Sequence, residues 1–311
     1  MGIAQEPCGP VGGTVLILFV GVVGAVAAVG VLSLALLWRL QERVVFQPPR
    51  GVVVPVDDAV PVTYEAADGH RLTGYLVGGE HGAVAGSALS GGVDRPMVLA
   101  FHGNAELAAW LLPWAREVSR RADTRVFLAE YRGYADLPGP PSYKVIQADA
   151  RAALSFMEDQ IGVAPGRYVL FGHSLGSAVA AELAVTARAA ALVLQAPFSS
   201  AQAMAARLLV PALPGFWNWF SRVHYNTSAV VAGVNCPVFV AHGEEDMVVP
   251  VAMGRHVYGS ARVQGALLVC PDAGHNDVAE RGGERYWAWL SSAISCARAL
   301  ESRSLPDTPP H

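Results

Sequence analysis

The stretch Gly172-His-Ser-Leu-Gly176 sets a serine between two glycines, a spacing that serves nucleophilic catalysis. In the G-x-S-x-G pattern, a sharp turn from strand to helix holds the serine hydroxyl above the sheet, and the glycines allow close approach of the two elements. The context fits, because the apolar run Tyr168–Phe171 precedes the motif and small residues follow from Ser177 onward. Ser174 is therefore the predicted nucleophile. A tight packing turn between strand and helix is the alternative interpretation.

A serine needs a base within hydrogen-bond reach and a third group that orients this base. In strand-turn-helix sites of this kind, the expected chain order is serine, then acid, then histidine. Two later apolar runs, 239–241 and 267–270, end in loops that contain Asp246 and His275 respectively. We predict Asp246 as the acid and His275 as the base. Nearby carboxylates and histidines leave alternatives open, namely Glu244, Glu245, Asp272, Asp277, His173 and His242.

Acyl transfer also requires donors for the oxyanion of a tetrahedral intermediate. Residues 100–105 end an apolar run and open a predicted helix, so that their main-chain N–H groups face the site with the helix dipole behind them. We assign the main-chain N–H groups of Asn104 and Leu175 to this role, and we expect His102 to hold the loop. Because the proposed donor is main chain, replacing the Asn104 side chain alone is expected to do little.

Short apolar runs that alternate with helix-like segments would position these residues. Predicted strands lie at 97–101, 125–130, 168–171, 191–195, 237–241 and 266–270. Predicted helices lie near 106–121, 143–160, from 177, near 251–258 and near 284–300. Unbroken apolar strands between helices predict an α/β fold with a mainly parallel sheet and helices on both faces. Ligands bind such sheets at the carboxyl ends of the strands, where the candidate residues fall.

Residues 61–300 form the predicted α/β domain. It begins with an antiparallel hairpin that turns at Asp68-Gly69. A glycine- and serine-rich loop at 78–94 is expected to be exposed and mobile. Residues 198–235 interrupt the alternation and predict a small cap, whose aromatic residues at 216–220 either line an acyl pocket or pack the cap. Residues 301–311 are predicted to be a disordered tail.

The most apolar part of the chain lies near its start, at 14–38, between a short tail at 1–13 and a connector at 39–60. About 20 apolar helical residues cross a bilayer, so 14–38 predicts a single transmembrane helix. A cleaved signal peptide and a buried core helix are the alternatives. Arg39, Arg43 and Arg50 follow this segment, and the positive-inside rule then predicts a cytoplasmic catalytic domain.

The composition argues against several classes of function. The 311 residues carry 22 Lys and Arg against 26 Asp and Glu, so the chain lacks the excess of positive charge that is typical of nucleic-acid-binding proteins. The four cysteines are widely scattered and lack the spacing of a zinc site. No metal and no organic cofactor is expected, because the sequence contains neither H-E-x-x-H nor a phosphate-binding glycine loop.

Six motifs stand in one order: Arg43–Pro48, His102–Ala105, Tyr131–Tyr134, Gly172–Gly176, His242–Asp246 and Gly274–Asp277. On these motifs the chain resembles the α/β-hydrolase superfamily, most of all its membrane-anchored, serine-aminopeptidase-like branch, from about residue 42 to 300. The resemblance implies the α/β-hydrolase fold and a serine hydrolase. The predicted triad and oxyanion loop favour cleavage of an acyl ester or thioester, and the predicted membrane helix favours a lipid or an acylated molecule as substrate. A serine peptidase and a non-catalytic binding protein remain alternatives. Ala135 departs from the branch, which usually has glycine there.

Overall fold

The structure is a computed structural model that describes residues 11–51, 54–56, 59–78, 95–208 and 220–299. Its strands in this part of the chain are β1 (Val60–Glu65), β2 (Arg71–Val77), β3 (Met97–Phe101), β4 (Arg125–Ala129), β5 (Tyr168–His173), β6 (Ala191–Gln195), β7 (Val238–Gly243) and β8 (Gln264–Cys270). They form one sheet in the order β1-β2-β4-β3-β5-β6-β7-β8. From β3 to β8 the neighbours are parallel.

The hairpin β1–β2 forms the antiparallel edge of this sheet. Its turn contains Asp68 and Gly69, and Gly69 has a φ of +78°, the left-handed region that glycine enters without steric cost. The predicted hairpin is therefore present in the structure.

The helices of the described residues are α1 (Val11–Val45), α2 (Leu112–Ala122), α3 (Tyr143–Ser155), α4 (Leu175–Ala184), α5 (Ala201–Leu208), α6 (Thr227–Val231), α7 (Val251–Ser260) and α8 (Val278–Ala299). A 3-10 turn, Ala108–Leu111, precedes α2, and a π-helical turn, Phe156–Gln160, continues α3.

Side chains on alternate positions of each buried strand pack against opposite layers of helices. In β3, Leu99 joins the core with α3, α4 and α7, whereas Val98 and Ala100 join the core with α2 and α8. Every residue of β3 is buried. A parallel sheet between two helical layers produces such fully apolar strands, and the predicted fold class is confirmed.

Some helices begin or end away from the predicted residues, for local reasons. The helix expected near 106–121 becomes α-helical only at Leu112, with Pro113 in its first turn, where proline is tolerated. The last helix starts at Val278 and is interrupted at Gly283, whose φ of +51° and ψ of −136° are not helical. The part beyond Gly283 corresponds to the predicted helix.

Helix α1 is longer than the predicted segment 14–38 and continues through the first residues of the predicted connector. Arg39, Leu40, Gln41 and Glu42 are all good helix formers, and the helix ends at Val45, before Pro48. Its part Ile17–Val45 has a mean hydropathy of 2.6 in the most apolar window, and none of that window is buried. By length and composition, this helix can cross a membrane.

Several predicted features lie wholly or partly outside the described residues. The longest ranges outside the described residues are 1–10, 79–94, 209–219 and 300–311. These ranges contain most of the predicted mobile loop, the middle of the predicted cap and the predicted C-terminal tail. Helices α5 and α6 belong to the described part of the cap segment. The three described cysteines, Cys236, Cys270 and Cys296, are free thiols.

Candidate active site

The turn between β5 and α4 holds Ser174 in a strained conformation. Its φ of +50° and ψ of −112° are unusual for a residue with a side chain and cost on the order of 1–3 kcal/mol. A Cβ on Gly172 would lie 2.1 Å from the Gly176 carbonyl oxygen, and one on Gly176 would lie 2.1 Å from the Phe101 carbonyl oxygen. Only glycine fits at either position, so the spacing of the motif follows from the packing of α4 against β5 and β3.

The structure brings Ser174, His275 and Asp246 together. His275 Nε2 lies 2.9 Å from Ser174 Oγ, and His275 Nδ1 lies 2.7 Å from Asp246 Oδ2. An ionised carboxylate only accepts hydrogen bonds, so Nδ1 carries the proton and Nε2 accepts from the serine hydroxyl. In this tautomer, the imidazole can take the proton of Ser174.

Asp246 is buried and fully hydrogen-bonded. Its Oδ1 accepts from the main-chain N–H groups of Val248, at 2.9 Å, and Val249, at 2.8 Å. Burial opposes its ionisation, but hydrogen bonds from His242, His275 and the Val249 N–H outweigh burial and hold the pKa of Asp246 well below its usual range. The carboxylate is therefore charged at any pH at which the fold is expected to be intact.

The loops that contain the acid and the histidine are pinned to each other by main-chain bonds. The N–H of Glu244 donates to the Cys270 carbonyl at 2.9 Å, and the N–H of Glu245 donates to the Ala273 carbonyl at 3.0 Å. Within the histidine loop, the Gly274 N–H donates to Asp277 Oδ1 at 2.6 Å. Of the alternative acids, Asp277 thus holds the loop, and Glu244 and Glu245 have exposed side chains.

A second histidine–carboxylate pair, His173 and Glu106, connects three loops of the site. His173 Nδ1 lies 3.0 Å from Glu106 Oε2, and His173 Nε2 lies 3.2 Å from the His275 carbonyl oxygen. Glu106 Oε2 also accepts from the Gly103 N–H at 2.7 Å. Both ring nitrogens of His173 face acceptors, an arrangement that a doubly protonated imidazolium satisfies.

The charges of this pair stabilise each other. Burial opposes ionisation of Glu106, but the hydrogen bonds and charge of His173 outweigh it and lower the pKa of Glu106 to about 2. Burial alone would lower the pKa of His173, yet the Glu106 carboxylate outweighs it and raises that pKa. The two pKa shifts therefore favour an ion pair between the serine turn and the histidine loop.

The loop after β3 is held by His102, as expected from its position. His102 Nε2 lies 2.6 Å from Glu130 Oε1 and its Nδ1 lies 2.8 Å from the Gly103 carbonyl oxygen. Both side chains are completely buried. The other Glu130 oxygen accepts from the Ala108 N–H at 3.0 Å, so one carboxylate fixes both ends of the loop.

The side chain of Asn104 takes part in the structure more than the sequence indicated. Its Nδ2 donates to the Val45 carbonyl at 2.6 Å, and its Oδ1 accepts from the Gln47 N–H at 3.0 Å and from Tyr134 Oη at 2.8 Å. These bonds involve only the side chain, and the main-chain N–H of Asn104 remains the proposed oxyanion donor. Leu175 is the first residue of α4, whose first-turn N–H groups have no partner within the helix.

Ala135 has a backbone conformation that favours glycine. Its φ is +47°, in the left-handed region, and the next residue, Asp136, has a φ of +56°. An alanine at this position is therefore strained relative to a glycine.

Glu106, Glu130 and the Asn104 side chain were not predicted to support the site. Glu106 lies three residues after Gly103 at the start of a predicted helix, a place where carboxylates commonly accept main-chain N–H bonds, and this signal was available. Glu130 follows the buried strand β4 and carried no comparable signal. Among the described residues, no group of three or more His, Cys, Asp or Glu side chains has an arrangement that could hold a metal ion.

The strand order, the parallel register and the serine at the β5–α4 turn are those of a hydrolase-type α/β sheet. Comparisons with known proteins support this assignment. A profile of the family described as serine aminopeptidase, S33, matches residues 93–231. The uncharacterised protein Rv2307c of Mycobacterium tuberculosis is 35% identical over 270 residues, 82% of this chain and 88% of that protein. The alpha/beta hydrolase domain-containing protein WAV2 of Arabidopsis thaliana is 30% identical over 298 residues, 87% of this chain and 91% of WAV2.

Among solved structures, the esterase Pf2001 of Pyrococcus furiosus has the same fold. It superposes with a TM-score of 0.62 at 17% identity, over 80% of this chain and 96% of the esterase chain. The chain belongs to the α/β-hydrolase superfamily and is a hydrolase of that fold, as the motifs implied.

Proposed function

We propose that this protein is a serine hydrolase that cleaves carboxylic ester or thioester bonds through an acyl-enzyme on Ser174. The observation that carries the proposal is the continuous chain of hydrogen bonds from Ser174 Oγ through His275 to Asp246. This arrangement supplies a nucleophile, a base of the correct tautomer and a charge that stabilises the imidazolium.

In the first step, Ser174 Oγ attacks the substrate carbonyl carbon while His275 Nε2 takes the hydroxyl proton. The N–H groups of Asn104 and Leu175 receive the oxyanion, and loss of one such donor typically costs about 3 kcal/mol of transition-state stabilisation. The intermediate then collapses as His275 returns the proton to the leaving alcohol or thiol. Water, with His275 as base, releases the acid and restores Ser174.

We further propose that α1 is a single-pass membrane anchor and that the catalytic domain is cytoplasmic. The length and hydropathy of Ile17–Val45 support the anchor, and Arg39, Arg43 and Arg50 support the orientation. An anchored hydrolase meets substrates at a bilayer, so a lipid or an acylated protein is the proposed substrate class. Inverted membrane vesicles expose the cytoplasmic face, so protease added outside them should digest a tag placed after residue 311. Protection of this tag would contradict the orientation.

The chemistry is tested with a fluorophosphonate probe and a short-chain nitrophenyl ester. The wild type should be labelled and should hydrolyse the ester, and Ser174→Ala should do neither. Equal labelling of both proteins would contradict the assignment of Ser174. A folded wild type that is neither labelled nor active would favour the non-catalytic binding protein.

A serine peptidase is the second candidate, and the match to the family described as serine aminopeptidase, S33, favours it. Both activities need the same three side chains, so the site itself does not separate them. A comparison of acyl thioesters with aminoacyl amides, each against Ser174→Ala, distinguishes the two. Faster serine-dependent turnover of the amide would replace the ester hydrolase with a peptidase.

A further inference from the structure

The last turns of α1 are docked on the hydrolase domain rather than free of it. Gln41 Nε2 donates to the Phe220 carbonyl at 2.9 Å, and the Arg222 N–H donates back to Gln41 Oε1 at 2.9 Å. Phe220 and Arg222 belong to the segment that follows the carboxyl end of β6. The two bonds hold the helix against this segment.

Glu42 makes the next contacts and is almost buried by them. Its carboxylate lies 3.0 Å from the Arg222 guanidinium and accepts from the Tyr143 N–H at 3.1 Å. Tyr143 is the first residue of α3 and follows the carboxyl end of β4. The Arg222 guanidinium also lies 4.7 Å from the centre of the Trp38 ring, so the domain reaches as far as Trp38 along the helix.

The end of α1 is bonded directly to the loop of the proposed oxyanion site. Asn104 follows the carboxyl end of β3, and its side chain joins Val45 and Gln47. All contacts named here between α1 and the domain therefore lie at the carboxyl ends of β3, β4 and β6. Parallel strands end at a common edge, and Ser174, Asp246 and His275 follow β5, β7 and β8 at that same edge. Helix α1 thus leaves the domain from the edge that carries the catalytic residues.

The distance from the bilayer to this edge follows from the helix. Tryptophan is favoured at the membrane interface, and Trp38 ends the wholly uncharged part of α1. Val45 comes seven residues later, which is about 10 Å along a helix that rises 1.5 Å per residue. The interfacial layer on each side of the hydrocarbon is about 5 to 8 Å thick. With Trp38 at the interface and α1 along the bilayer normal, the Asn104 loop would lie within a few ångströms of the lipid headgroups.

The charged and the exposed apolar side chains of this edge are of the kinds that favour contact with a bilayer. Arg43 and Arg50 line a groove beside the end of α1, and arginines this close to a bilayer attract anionic headgroups. Among the described residues outside α1, the large apolar side chains that are exposed are Trp110, Val185, Met247 and Val248. All except Val185 follow the carboxyl end of a strand. Val185 lies at the far end of α4, and Met247 is 80% exposed next to Asp246.

We infer that the carboxyl edge of the sheet is a lipid-docking surface that lies on the phospholipid bilayer holding α1, and that the acyl chain of the substrate enters the Ser174 site from this bilayer. The occupant of the surface is the membrane itself, because α1 leads into the bilayer from this edge. The docking rests on the proposed membrane anchor, and the part of the inference that concerns the substrate rests also on the proposed hydrolase activity.

Docking is tested on the full chain in vesicles of phosphatidylcholine and phosphatidylserine. The photoreactive residue p-benzoylphenylalanine replaces Met247 in one variant and Val185 in the control, and lipid adducts are measured by mass spectrometry after illumination. We expect phospholipid adducts at position 247 and few at position 185. Adducts at 185 that equal or exceed those at 247 would overturn the inference. This measurement needs no turnover, so it stands whether or not the chain hydrolyses esters.

Entry from the bilayer is tested with two esters that share one leaving group, water-soluble methylumbelliferyl butyrate and membrane-partitioned methylumbelliferyl oleate. The variant Trp110→Gln/Met247→Gln should lower kcat/KM for the oleate about fivefold or more, because less apolar surface enters the interface. The same variant should keep kcat/KM for the butyrate within about twofold of the wild type. The control Val185→Gln should keep kcat/KM for both esters within about twofold. Equal losses for the two esters, or none, would refute entry from the membrane. Wild type inactive on both esters would instead refute the proposed function.

Discussion

Replacing Asp246 with asparagine removes the negative charge of the site while its shape is kept. The orientation of the new amide is set by its neighbours. Oδ1 of Asp246 accepts from the N–H groups of both Val248 and Val249, so the asparagine must place its carbonyl oxygen there. Its NH₂ group then points at His275 Nδ1, which must accept, and the imidazole proton moves to Nε2. That proton faces Ser174 Oγ, so the imidazole has no lone pair with which to activate the serine.

The size of the effect follows from the opposite orientation of the amide. An asparagine flipped by 180° restores the correct tautomer but leaves the N–H groups of Val248 and Val249 buried without an acceptor. Each unsatisfied group costs about 1–3 kcal/mol, and about 1.4 kcal/mol corresponds to a factor of ten. The active orientation is then populated at roughly one part in 30 to one part in 20,000. We expect kcat to fall by the same factor, about 30-fold to 20,000-fold.

The assay is kcat for a short-chain nitrophenyl ester at saturation, on the detergent-purified full chain. Glu245→Gln is the matched control, because it removes a neighbouring carboxylate whose side chain is exposed, and it should keep kcat within about twofold. Thermal unfolding of Asp246→Asn establishes that the fold is intact. A folded variant that retains more than about a third of kcat would show that the tautomer of His275 does not depend on Asp246.

Three further predictions concern the supports of the site. Glu106→Gln removes a charge but keeps an acceptor, and we expect it to lower the stability measured by thermal unfolding. The loss should be greatest between about pH 4.5 and 6.5, because this window lies above the ordinary pKa of Glu106 and below that of His173. The loss should shrink as pH rises through the raised pKa of His173, and a pH-independent difference would contradict the pairing. Asn104→Ala should lower kcat for a soluble ester about tenfold, because the loop loses its support, and an unchanged kcat would argue against this role. Ala135→Gly should raise stability by about 0.5 kcal/mol through relief of the left-handed strain, whereas Ala152→Gly inside α3 should lower it, as calorimetry would show.

Features that depend on local pattern could be predicted from the sequence. The run Tyr168–Phe171, the glycines at 172 and 176 and the small residues after them specify a strand, a tight turn and a helix within a dozen residues. The same reasoning placed Asp246 and His275 after later strands. Parallel strands end at one edge, so a correct list of strands already brings the candidate residues near one another.

Features that depend on distant partners could not be predicted in this way. Helix α1 was expected to stop at Trp38, because the next residues are charged. The helix-forming residues 39–42 allow it to continue. Its docking on the domain depends on distant residues, because Gln41 and Glu42 are bonded to Phe220, Arg222 and Tyr143, up to 181 positions away. Nothing in the local sequence indicates such pairs. The role of Glu130 was hidden for the same reason, since its partner His102 lies 28 positions earlier, in the loop after β3.

Asn104 brings these two kinds of feature together at one residue. Its main-chain N–H is the oxyanion donor predicted from the motifs. Its side chain bonds to the end of α1, which was predicted as a separate element. A movement of α1 that breaks the bond to Val45 must also release Tyr134 or shift the loop, because the same amide joins all of them. The proposed anchor and the proposed oxyanion donor therefore cannot change position independently, and the geometry of the candidate site depends on how the end of α1 packs on the domain.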